Sequence, residues 1–95
     1  MSRAYKTVAE LLSVRSRWTR NALARTARGT ACEPDHPQAV RWCLIGACYR
    51  VCGTNFRRIR GKIARLHKVL GTSPALFNDT ATHAEALKQV KRARV

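Results

Sequence analysis

Apolar residues recur with helical spacing at several points along this chain. Val8, Leu11 and Leu12 follow Thr7-Val-Ala-Glu10, which has the form of a capping box. There the Thr7 hydroxyl accepts from the Glu10 amide and Glu10 reaches back. A first helix is expected from Val8 to about Arg17. Phe56, Ile59, Ile63, Leu66 and Leu70 mark a longer, one-sided helix over residues 56–70, stopped by Gly71. Thr82-His83-Ala84-Glu85 repeats the capping-box form, and Leu87 and Val90 carry the stripe of a last helix ending near Ala93.

Between these lies AVRWCLIGACYRVCG, residues 39–53, apolar on several faces. It reads as a buried central helix, opened near Pro37 and closed by Gly53. Ala39, Cys43, Gly46 and Ala47 line one side, where another helix can approach closely. Gly46 costs about 1 kcal/mol of helix propensity against Ala, so a packing reason is expected for it. Trp18 to Ala27 is compatible with a continued helix or a short docking segment, and GTACEPDHP breaks regular structure. A loop with Pro74 leads into Leu76-Phe77-Asn78-Asp79. Nothing alternates convincingly with period two, although a short extended pair around residues 18–30 stays open. The expected fold is all-α: a compact small bundle of about four helices, with residues 1–95 as a single domain.

Composition changes the picture mainly through charge. Nineteen Lys and Arg stand against five acids, a formal charge of +14 on a 10.7 kDa chain that is 45% hydrophobic. Such an excess opposes compaction and favours anionic partners: nucleic acid first, an acidic protein surface second, an anionic membrane third. No apolar run approaches the roughly 20 residues of a membrane span, and Glu10 interrupts any signal-peptide stretch at the N-terminus. A cytoplasmic setting with reduced thiols is expected. Cys48 and Cys52 lie four apart, as do Cys32 and His36. Together they make a four-ligand zinc set on paper, but there is no C-x-x-C knuckle. Buried core thiols, together with Cys43, are the preferred reading, with no metal and no cofactor.

The charge is also patterned. NFRRIRGKIARLHKVLG, residues 55–71, carries Arg57, Arg58, Arg60, Lys62, Arg65 and Lys68, and no acid occurs from His36 to Asn78. A solvated helix face is normally mixed in sign. Here 58 and 62, and 57 and 60, are like-charged neighbours that cost a few tenths of a kcal/mol each unless a partner neutralises them. Arg3, Lys6, Arg15, Arg17, Arg20, Arg25 and Arg28 add charge near the N-terminus, and of these Arg15, Arg17 and Arg20 are expected to assist. Arginine predominates, and its planar fork suits phosphate or carboxylate. Gly53-Thr54-Asn55 has the length of the turn in a helix–turn–helix, with Asn55, Arg57, Arg58 and Arg60 near the start of the second helix. Aromatic content is low, so stacking on single-stranded bases is not the obvious mode.

Catalysis needs a converging nucleophile, base and orienter, and the sequence offers no such set, no HExxH and no P-loop. His67 reads as a surface residue and His83 as a first-turn residue. Asn78-Asp79 is the best candidate for a polar functional pair, though a turn ordered by their own side chains is preferred. No enzymatic activity is expected.

The order of features resembles a family of small uncharacterised bacterial and phage proteins. The matching pieces are Trp18 with Ala22, Trp42-Cys43-Leu44-Ile45-Gly46-Ala47, Phe77-Asn78-Asp79, and Thr82 before the last helix. The resemblance implies a phage or mobile-element setting in a host cytoplasm, with two roles to the fore. The leading expectation is a non-enzymatic nucleic-acid binder, for DNA or RNA, holding phosphate through residues 56–70. The alternative is a protein-binding inhibitor of a host defence effector, anti-CRISPR-like or anti-restriction-like, docking on an acidic host protein. A monomer or small homo-oligomer fits either.

Overall fold

Only the second half of the central apolar stretch is helical. In the computed structural model, which describes residues 5–95, Ala39–Trp42 is a strand (β3) and Leu44–Cys52 a helix (α2). Cys43 lies extended between them, and its Sγ accepts from the Gly46 amide at 3.3 Å. Extended backbone wins over residues 39–42 because a sheet takes up its polar groups. β3 pairs antiparallel with Ala24–Thr26 (β1), which on its other edge pairs antiparallel with Ala31–Cys32 (β2), giving the order β2-β1-β3. The Trp42 carbonyl also accepts from the Thr19 amide at 3.1 Å. The fold is therefore mixed α/β, and the expected all-α bundle is wrong. The extended pair left open around residues 18–30 is the β1–β2 hairpin, which turns through Gly29 at a φ of 86° that favours glycine.

The helices differ from expectation at both ends of the chain's middle. Val8–Leu11 (α1) is a single turn, followed by a 3-10 turn at Arg15–Arg17 instead of a helix running to Arg17. The Thr7 hydroxyl accepts from the Glu10 amide at 3.0 Å, as read from the sequence. Phe56–Leu70 (α3) has the expected bounds: the Asn55 side chain caps its start, and Gly71, at a φ of 70°, ends it. Residues assigned to a loop form a further helix, Pro74–Thr80 (α4), with Pro74 in the first turn. His83–Ala93 (α5) carries the full capping box between Thr82 and Glu85. The hydrogen bond from the Thr82 amide holds the Glu85 carboxyl below its ordinary value.

One apolar cluster joins these elements, with Val8, Leu11 and Leu12, Trp42, Leu44, Leu66, Val90 and Val95 at its centre. α3 packs on α2, α4 and α5, while the 3-10 turn packs on β3. Gly46 has the packing reason its propensity cost called for, although the neighbour is not a helix. A Cβ on Gly46 would stand 1.8 Å from the Leu23 carbonyl oxygen, so the chain leading into β1 lies directly on α2. No helix among the described residues is long and apolar enough to cross a membrane.

Arginine has a second use in this fold. Arg17 donates to the Leu11 carbonyl at 2.7 Å and the Glu10 carbonyl at 3.2 Å, satisfying the open end of α1. Arg20 donates to the Ala81 carbonyl just past α4. Arg25 reaches the Gly29 carbonyl at 2.8 Å, Arg41 that of Thr26 at 3.3 Å, and Arg50 those of Pro34 and His36, both at 3.2 Å. These guanidinium groups tie segments together by donating to neutral main-chain oxygens.

Candidate nucleic-acid interface

α3 turns one face to the core and a broad basic face to solvent. Ile59 and Leu66 are buried, with Ile63, Val69 and Leu70 half-buried beside them. The remaining arc exposes Arg57, Arg58, Arg60, Arg65, His67 and Lys68. The three-residue connection Gly53–Asn55 precedes it, and the Asn55 Oδ1 accepts from the Arg58 amide at 3.1 Å. Phe56, counted with the core stripe from its spacing, is instead 64% exposed at the helix start. The two acids that follow in sequence are engaged elsewhere: Asp79 Oδ1 accepts from the Asn21 amide at 2.9 Å, and Glu85 closes its capping box.

Lys62 does not stand on that open face. It is only 7% exposed, at the edge of the buried stripe, three residues from Ile59 and four from Leu66. With Arg58, Gly61 and Arg65 it lines a recess of about 400 Å³. Gly61 was passed over in the sequence, yet it is the odd residue of this helix. It sits mid-helix at a cost of about 1 kcal/mol relative to Ala, and a Cβ there would touch nothing. A glycine with no packing or turn to justify it, flanked by bases three before and four after, was the available signal.

The N-terminal arginines are divided. Arg15 and Arg20 line a separate recess of about 700 Å³ with Trp18, Thr19, Thr82, His83 and Ala84. There the Arg20 guanidinium lies 5.3 Å from the Trp18 ring centroid. Arg17 is committed internally: besides its two carbonyls it donates to the Tyr5 hydroxyl and to Ser13 Oγ, both at 3.0 Å, and its guanidinium covers the Tyr5 ring. Its donors are taken up within the fold, between α1 and the segment that follows it. Arg3 lies outside the described residues. His83 Nε2 meets the Leu12 carbonyl at 2.7 Å, which requires the proton on that nitrogen.

Asn78 and Asp79 are neither an exposed pair nor a local turn. Asn78 is 0% exposed within α4. Its Oδ1 accepts from the Trp18 indole at 2.7 Å and from the Leu44 amide, at the start of α2, at 3.1 Å. Its Nδ2 donates to the Thr19 carbonyl at 2.9 Å. One amide thus binds the segment at Trp18–Thr19, α2 and α4 together.

The four cysteines are free thiols, with Cys43, Cys48 and Cys52 buried and Cys32 half-buried. Among the described residues no three His, Cys, Asp or Glu side chains come together as a metal-holding group. Burial pushes the Cys48 thiol from 9.0 up to about 12, and burial also raises that of Cys43. A raised thiol value stabilises the fold below the unfolded value and less as pH climbs past it. An alkylating reagent at about pH 8 should therefore label Cys32 in the folded protein and reach Cys43, Cys48 and Cys52 only after denaturation, as peptide mass spectrometry would show.

A model of the family described as "Family of unknown function (DUF6197)" matches residues 1–94. The chain belongs to that family. Neither a curated protein nor a solved structure matches it. Membership in DUF6197 agrees with the resemblance to an uncharacterised family and assigns no activity, so the functional reading has to come from the site.

Proposed function

We propose that this protein is a small, non-enzymatic nucleic-acid-binding protein of phage or mobile-element type, gripping the phosphate backbone through the outer face of α3. The observation that carries the reading is the outer face itself: Arg57, Arg58, Arg60, Arg65 and Lys68 all exposed on one helix, with no acid from residue 36 to 78. Their mutual repulsion is a standing cost that a polyanion removes. The short turn ahead of α3 and its exposed N-terminal half also support a helix–turn–helix style of docking.

With about five phosphates neutralised, affinity for a random duplex should fall several-hundred-fold between about 50 and 200 mM salt. Changing Arg57, Arg60 and Lys68 together to Ala should weaken binding and remove more than half of that salt slope. A filter-binding or anisotropy titration with a labelled duplex and a matched single strand reads both. Equal binding by wild type and variant, or none by either, would sink the proposal. A second reading, a protein-binding inhibitor of a host defence effector, draws support from Phe56. An exposed aromatic beside Arg57 has the composition of a protein–protein contact. In that case one acidic host protein should bind tightly, and duplex affinity should be weak and indifferent to these substitutions.

A further inference from the structure

Lys62 is withdrawn from water, its ammonium makes no hydrogen bond among the described residues, and its charge reaches the buried Cys48 thiol. No fully buried side-chain nitrogen or oxygen among them lacks a partner. The ammonium is therefore not fully sealed in, and Lys62 lines a recess together with Arg58, Gly61 and Arg65. A lysine this deeply placed is ordinarily paired with a carboxylate. Here the sequence supplies none between residues 36 and 78, and the recess adds two guanidinium groups instead. Almost any residue other than proline would serve the helix better than glycine does at position 61. Gly61 has an ordinary helical backbone and no neighbour within 4 Å of a Cβ, so neither a turn nor packing explains it. What it does provide is bare helix surface on the wall of the recess.

We propose that this recess is a seat for one phosphate group. Arg58, Lys62 and Arg65 follow the i, i+4, i+7 line along about 10 Å of one helix edge. Lys62 supplies a point charge from the depth, Arg58 and Arg65 supply forked donors from either end, and Gly61 lets a phosphate oxygen approach the helix. In taking that phosphate from a nucleic-acid backbone, the inference rests on the reading above. The seat then fixes where along α3 a strand lies, whereas the open-face cations follow its charge. The same chemistry would accept a free phosphate monoester.

The test has two arms on the full chain. In the first, inorganic phosphate is titrated against chloride at matched ionic strength while the backbone amide resonances of residues 58–65 are followed. In the second, affinity for the labelled duplex is measured at several salt concentrations. Both are run on wild type, Gly61→Ala and Lys62→Met. Wild type should show saturable phosphate-specific shifts. Gly61→Ala should melt about 5 °C higher through its better helix propensity, yet lose those shifts, about tenfold in duplex affinity and about one unit of salt slope. A gain in melting temperature with a loss of binding separates occupancy of the recess from damage to the fold. If both variants keep wild-type shifts and wild-type duplex affinity, the seat is overturned, while a loss caused by Arg57, Arg60 and Lys68 leaves the nucleic-acid reading intact. If phosphate saturates the wild-type site and the variants abolish this, but no duplex binds, the seat stands, its source is a free phosphate monoester, and the backbone reading fails.

Discussion

Gly46→Ala should reduce the protein to a poorly folded state, with the melting temperature lowered by roughly 15 °C or more. In an isolated helix the same change is worth about 1 kcal/mol in the favourable direction. Here the new methyl carbon would lie 1.8 Å from the Leu23 carbonyl oxygen and 2.7 Å from its carbon. Both are main-chain atoms, so no rotamer change relieves the overlap. Leu23 leads directly into β1, the middle strand of the sheet, and its carbonyl accepts from the Cys43 amide at 3.2 Å. Moving it aside breaks that bond and unseats β1 from α2. Overpacking against mobile side chains costs about 1–3 kcal/mol, and main-chain overlap sits at or above the upper end. A domain this small has little stability to spare. Circular dichroism melts decide the matter: a variant melting within a few degrees of wild type would mean that Leu23 does not rest on α2.

Asn78→Ala ranks beside it. The substitution strands three groups at once: the Trp18 indole N–H, the Leu44 amide and the Thr19 carbonyl. Each buried group left without a partner costs about 1–3 kcal/mol, so a total of about 3–5 kcal/mol is expected. Asn78→Asp is the informative companion. It keeps an acceptor for Trp18 and Leu44, but sets a carboxylate oxygen against the Thr19 carbonyl and beside Asp79, so it should also destabilise. The indole N–H of Trp18 reports the loss directly. It should exchange slowly with solvent deuterium in wild type and rapidly in Asn78→Ala. Slow exchange in the variant would show that Asn78 is not the partner that holds this ring.

These two residues also show what a sequence conceals. Position 46 announced itself, because glycine inside an apolar helix has a local cost that asks for an explanation. Its neighbour did not, since a backbone carbonyl leaves no mark on composition. Asn78 was read as a turn residue because its side chain commonly bonds nearby backbone. Its actual partners lie 60, 59 and 34 positions away. The sheet escaped for a related reason. Its strands have three, two and four residues, too short to establish an alternating pattern. The apolar run at Ala39–Trp42 suits a buried strand as well as a buried helix, and the choice is made by pairing with β1, which no local signal encodes. By contrast the bounds of α3 and the capped start of α5 were legible, because periodicity, capping side chains and a stop glycine are all local. The basic face of α3 was legible with them. The depth of Lys62 was implicit in its spacing from Ile59 and Leu66, but a cation on a basic helix invites counting with the exposed ones.

The arginines bonded to main-chain carbonyls give the protein an unusual relation to its ionic surroundings. At a formal charge of +14, the folded chain is pushed apart by its own cations, and added electrolyte shortens the range of that push to about 3 Å at 1 M. Hydrogen bonds from Arg17, Arg25 and Arg50 to neutral carbonyls, at 2.7–3.2 Å, are contact interactions and involve no opposite charge to be screened. A fold pinned by carboxylate pairs would loosen in brine, whereas this one is expected to tighten. The same electrolyte weakens a hold on any polyanion. Dilute media thus favour a fold under its own repulsion and, on the proposed function, a tight hold; concentrated media favour a relaxed fold and release.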